Sequence, residues 1–351
     1  MSRRSRRVAL IASLSAIAVM AVSVWYILTT RRENANKPVP EGVLAELSGH
    51  SGPILSCAFS PDSSILATAS ADETIRIWDT STFEIKGILV GHTADVKDIA
   101  FSPDGKRMLS ASWDCSVRVW DTATWQAEIV IDRRPLKALS VAFSPNGTHF
   151  AVAGGSGQGS IQVYDCATDQ LVWNGAGTGA EIRRLAYSHD GRTIVTADDG
   201  GRATLWDEAT GRVLDRLQVG APGLFTIDQV AFGENSSTLI VREHGRISRW
   251  DLLTRRLEWE DHAPRGKYTG FARFPDGKFV ARMWRDSDGP DGELELLSSV
   301  DGHLLGAERC RNSYLAQICF SPDGKYIGTG GELDTCVVRI WDVGKLRAQR
   351  R

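Results

Sequence analysis

Short apolar runs broken by turn residues fill most of the chain, and the cleanest copy is residues 91–121, GHTADVKDIAFSPDGKRMLSASWDCSVRVWD. Within it the runs VKDIAF, RMLSAS and SVRVW are separated by Ser102-Pro103-Asp104-Gly105 and by Trp113-Asp114. A hydrophobic period near two, with turn punctuation about every eight residues, predicts short antiparallel strands and not helix. A single small sheet of this kind cannot bury both faces, so the stretch is one copy among several.

The copies are visible. Trp-Asp recurs at Trp78-Asp79, Trp120-Asp121, Trp206-Asp207, Trp250-Asp251 and Trp341-Asp342, and Tyr164-Asp165 and Leu297-Ser298 occupy the two gaps. Successive intervals are 42, 44, 42, 44, 47 and 44 residues. A second marker keeps step: FSPD at Phe59, FSPDG at Phe101, FSPNG at Phe143, YSHDG at Tyr187, FGENS at Phe232, RFPDG at Arg273 and FSPDG at Phe320. This period and the Gly-His…Trp-Asp signature resemble the WD40 family over about residues 43–343. The resemblance implies an all-β, seven-bladed propeller with four-stranded blades. It also implies that residues 43–47, a spare strand ahead of the first Gly-His, pair beside the strand ending at Trp341, which would close the ring and remove an exposed edge.

In that family the His, a Ser or Thr on the second strand, the Asp before the third strand and the Trp within it form one hydrogen-bonded set. A buried indole N–H and an imidazole both need partners, so such a set is satisfied only as a whole. The first copy offers His50, Thr68, Asp72 and Trp78, and the second offers His92, Ser110, Asp114 and Trp120 at identical spacing. The fourth keeps Thr196 and Trp206, with Asp199 one place off register, but has Thr178 for His. The seventh keeps Thr329 and Trp341 with Arg311 at the His position, and the third, fifth and sixth lack most of the set. The first two blades are therefore expected to be the most rigid and the fifth and sixth the most irregular.

The start of the chain is different in kind. Residues 1–28 are a basic segment and an uncharged run from Val8 to Leu28, flanked by Arg3, Arg4, Arg6 and Arg7 before and by Arg31 and Arg32 after. As a helix the run spans about 31 Å, close to a bilayer core. A single transmembrane helix over about 8–28 is expected, with a cleaved signal peptide and a secreted body as the alternative. The excess of arginine before the span places the body on the exoplasmic side. A polar, proline-bearing linker, 29–42, leads to the propeller, 43–343, and 344–351 reads as a basic tail.

Charge and cysteine usage narrow the functions. Residues 1–40 hold seven Arg or Lys and one Glu, which leaves 34 basic and 42 acidic residues in the remainder. An acidic body argues against general nucleic-acid binding. Of the six cysteines, Cys57, Cys115, Cys166, Cys310, Cys319 and Cys336, none forms a CxxC pair, and Cys57 and Cys319 read as small core residues. No HxxxH or HExxH spacing appears. The Asp-rich stretch 286–292 has Gly289 and Pro290 where a calcium loop wants oxygens, so it reads as a solvated hairpin. The glycine-rich stretches 154–159 and 175–179 precede strand-like runs and not a helix, which disfavours a phosphate cradle. No catalytic, cofactor or metal set is expected.

What remains is a surface. WD40 partners commonly dock on the narrow face, and the positions there include Trp113, Asp95, Lys137, Glu181, Lys267 and Tyr314. Trp113 is either a binding anchor or a contact with a neighbouring blade, and its exposure decides. The expected function is a membrane-anchored, non-catalytic scaffold for a protein or peptide partner. The alternative is an exported propeller that binds a small ligand or hydrolyses it in the central channel, which would need carboxylates or histidines converging on the axis.

Overall fold

The computed structural model describes residues 42–176, 179–220, 227–243, 245–262, 267–274, 277–285, 292–310, 315–331 and 336–348. Among these, 28 strands form seven four-stranded antiparallel sheets. Blades 1 to 6 span residues 54–89, 96–132, 138–176, 182–218, 229–262 and 267–310; blade 7 combines 315–342 with Val43–Ser48. The first strand of each blade lies against the first strands of both neighbours, and blade 7 meets blade 1, so the sheets close into a ring. Closure is by the implied route: Val43–Ser48 is the outermost strand of blade 7, with Val43 opposite Trp341 and Ser48 opposite Val337.

The core is not one mass but seven layers, each between two blades. Ala67, Ile75 and Ile77 of blade 1 pack on Val96, Ile99 and Met108 of blade 2. The layer joining blade 7 to blade 1 holds Leu47, Ile54, Phe59, Leu66, Val338 and Ile340, with Cys57 and Cys319 against it. Strand alternation explains this: each inner strand turns residues such as Ile54, Val96 and Ile182 fully inward, whereas the outer strand of blade 2, Ala127–Asp132, is mostly exposed.

The FSPDG marker recurs because it is a self-satisfied turn. Ser102 Oγ donates to Asp104, the Lys106 amide donates to the same carboxylate, and the Arg107 amide donates to Ser102 Oγ at 2.9 Å. Gly105 sits at φ +72°, a conformation glycine adopts without strain.

One finding departs from the sequence reading. The stretch read as a basic tail begins as a helix, Val343–Ala348, which buries Val343 and Leu346 in the layer between blades 6 and 7. Its two apolar residues, three apart, define one face, a signal too short to read without the sheet it covers. In addition, no helix among the described residues is long and apolar enough to cross a membrane. The apolar run 8–28 and the linker to residue 41 lie outside the described residues, as do Thr178, His244, 286–291, Arg311 and Tyr314.

Candidate docking face around Trp113

The hydrogen-bonded sets of blades 1 and 2 hold the turns that carry their loops. In blade 1, His50 Nδ1 is 2.9 Å from Asp72 Oδ2, His50 Nε2 is 2.9 Å from Thr68 Oγ1, and Trp78 Nε1 donates to Thr68 Oγ1 at 2.9 Å. In blade 2, His92 is 2.8 Å from Asp114 and 2.7 Å from Ser110, and Trp120 Nε1 donates to Ser110 Oγ at 2.9 Å. One proton order satisfies every member: indole N–H to hydroxyl, hydroxyl to Nε2, and Nδ1–H to carboxylate. Burial pushes the Asp114 carboxyl up, but the hydrogen bonds from His92, Ser116 and the Thr93 amide outweigh it and hold the group below the ordinary carboxylate range. Asp72 behaves in the same way.

Elsewhere the set is rebuilt. Trp206 and Trp341 donate to Thr196 and Thr329, and Asp199 pairs with Arg183 at 2.8 Å instead of with an imidazole. In blade 6, buried Arg282 and Glu295 form an ion pair on the strands where blade 2 has Ser110 and Arg118. In the loop leading into blade 3, buried Arg133 reaches Gln162, Ser160 and the Lys137 carbonyl.

Asp114 fixes the turn that presents Trp113. The Trp113 amide donates to the Asp95 carbonyl at 3.0 Å, tying the turn to the loop before the inner strand. Trp113 is 38% exposed as a residue, and Lys97 Nζ and Lys137 Nζ lie over its ring at 4.2 and 4.4 Å from the centroid. Lys137 belongs to the loop leading into blade 3, so Trp113 is at once exposed and in contact with its neighbour. Lys97 is 3.7 Å from Asp95. Burial lowers the Lys97 pKa, Asp95 opposes that, and Arg184 and Arg183 add to it.

The structure thus brings together Trp113, Asp95 and Lys137 of the expected set. Glu181 lies in the corresponding loop of blade 4, its carbonyl accepting the Asp199 amide and its side chain 3.9 Å from Arg183. Lys267 opens blade 6, paired with Arg285; its side chain, like Tyr314, is outside the described residues.

Sequence reasoning missed Lys97, Arg183, Arg184 and Asp98. The cause is a register shift at the head of the inner strands, between Val96 and Asp98 in blade 2 and between Ile182 and Arg184 in blade 4. A bulge re-aims the side chains around it, and strict alternation cannot show that.

Inside the ring, a cavity of about 230 Å³ is lined by Ser56, Asp98, Ser140, Arg184, Gln229 and Gln317 among others. Asp98 is the one carboxylate among those described lining residues, and both its oxygens are engaged. Oδ1 accepts from Ser56 Oγ and the Ile99 amide, and Oδ2 from Ser140 Oγ and the Val141 amide, at 2.9 to 3.1 Å. It stitches blades 1, 2 and 3 together, and does not converge with a second acid as channel hydrolysis would need. Among the described residues no group of His, Cys, Asp and Glu is placed to hold a metal ion.

Comparison with known proteins agrees with this architecture. The family model described as WD40, WD domain, G-beta repeat, matches residues 42–79, 83–121, 136–165, 169–207 and 294–342. The unmatched 208–293 holds blade 5 and most of blade 6, two of the three blades that lack most of the His/Trp set. The chain is 23% identical over 303 residues to apoptotic protease-activating factor 1 of Rattus norvegicus, covering 86% of this chain and 23% of that protein. It is 31% identical over 202 residues to target of rapamycin complex subunit LST8 of Mus musculus, covering 53% and 58%. The chain therefore spans less than two thirds of either relative. With the matched repeats covering more than half of its length and seven sheets closing into one ring, the chain belongs to the WD40 family.

Proposed function

We propose that this propeller is a non-catalytic scaffold that docks a protein partner on the face carrying Trp113. The observation that carries the reading is an aromatic residue, 38% exposed, on a turn held by Asp114 and by the Asp95 carbonyl, with two lysines over its ring. An exposed, rigidly held aromatic near the centre of a surface is the usual form of an interface anchor. A WD40 relative whose name makes it a subunit of a larger complex supports the same role. The uncharged run Val8–Leu28 between arginine clusters supports a membrane helix that tethers the propeller, with the body outside.

The test is a tagged pulldown comparing wild type with Trp113→Ala. Loss of a partner at unchanged thermal melting is the expected outcome; an unchanged set of partners rejects Trp113 as the anchor. Protease treatment of intact cells reads the tether: a digested body is expected, and a shielded one overturns the orientation.

A further inference from the structure

Cations gather around Trp113, and only some of them meet a carboxylate. Lys97 and Lys137, from blade 2 and the loop of blade 3, share one Trp113 ring. Arg184, on the inner strand of blade 4, lines the central cavity, and its charge lowers the Lys97 pKa. Arg183 is already answered by Asp199 at 2.8 Å, and Lys97 meets Asp95 only at 3.7 Å. Among the described residues no carboxylate lies within ion-pair distance of Lys137 or Arg184, whose guanidinium donates only to the carbonyls of Leu139 and Arg183. The Lys97 side chain is 19% exposed, so its charge is held where water screens it poorly. Like charges gathered in such a place disfavour one another, and a bound anion relieves that.

Resting on the docking reading above, we propose that Lys97, Lys137 and Arg184 receive an acidic peptide segment of the protein partner, with Trp113 as the apolar floor between the cations. Carboxylates form charge-assisted bonds to ammonium and guanidinium groups. Asp95 stands beside Lys97, and Glu181, Asp199 and Asp228 act on the adjacent Arg183, while the body is acidic overall. Those carboxylates repel a long polyanion such as nucleic acid and leave room for a short acidic stretch.

The experiment uses the full chain and fluorescence anisotropy with a labelled ten-residue glutamate peptide, against a glutamine peptide of equal length, inorganic phosphate and a single-stranded oligonucleotide. The glutamate peptide is expected to bind at least about tenfold tighter than the glutamine peptide, and Lys137→Glu and Arg184→Gln each to weaken it about tenfold without moving the melting temperature. Lys137→Arg is expected to retain binding. Equal binding of the two peptides, an unaffected Lys137→Glu, or displacement by phosphate or oligonucleotide at equal molarity overturns the proposal. If Trp113→Ala sheds its partner while the glutamate peptide fails to bind, the acidic-segment inference falls and the docking face stands. If every partner survives Trp113→Ala while Lys137→Glu still abolishes peptide binding, the docking reading falls instead.

Discussion

Replacing Asp98 with alanine tests whether the channel carboxylate is a structural tie. The substitution removes bonds to Ser56 in blade 1 and to Ser140 and the Val141 amide in blade 3, besides the local one to Ile99. A hydrogen bond to a charged group contributes about 1.5–3 kcal/mol. The two serine hydroxyls face the cavity and regain water after the deletion, so each loses little. The Val141 amide sits within the packed strand and loses its only side-chain acceptor, at a cost of about 1–3 kcal/mol. The net loss is then about 1–3 kcal/mol. Asp98→Asn keeps one acceptor oxygen and should lose roughly half as much. Urea unfolding of the purified protein, followed by tryptophan fluorescence, reads both variants; the midpoint should fall with an unchanged slope. Asp98→Ala within about 0.5 kcal/mol of wild type, the range of ordinary surface changes, would refute the tie and return Asp98 to the list of candidate ligand groups.

Ser110→Ala leaves the buried Trp120 N–H and His92 Nε2 without their shared partner, whereas Thr196→Ala strands only Trp206. The first should cost about 2–3 kcal/mol and the second about 1 kcal/mol less; equal losses by chemical denaturation would mean that His92 adds nothing to the set. Because Asp72 and Asp114 titrate below their ordinary range in the folded protein, their stabilisation is fully present above the unfolded value of about 3.9 and is lost as pH falls below it. The double variant Asp72→Asn, Asp114→Asn should therefore flatten the acid limb of the stability–pH curve, and an equally steep limb contradicts the assignment.

The repeat was legible because its turns and polar sets are local in sequence. Ser102, Asp104 and Gly105 satisfy one another within a few residues, and His92, Ser110, Asp114 and Trp120 recur at fixed spacing. What escaped depends on neighbours in space. Lys97 and Arg184 are aimed by a bulge that alternation does not reveal. The Arg282–Glu295 pair fills blade 6 where the sequence shows only a missing set, because two unlike residues took over the position without preserving the pattern. The Val343–Ala348 helix is too short for its periodicity to register, and only the layer it covers makes it recognisable.

The way the ring closes has a topological consequence. The Asp342 amide meets the Gly42 carbonyl at 3.4 Å, so the chain joins and leaves the ring at neighbouring points. Among the described residues, each apolar layer joins one blade to the blade beside it. The blade order is therefore cyclic, and residue 42 is a matter of where the circle happens to be cut. A circular permutant that links residue 348 to residue 42 through a short spacer and opens between the exposed Ser81 and Thr82, leaving Phe83 against Tyr326, would keep every layer while moving the cut to blade 1.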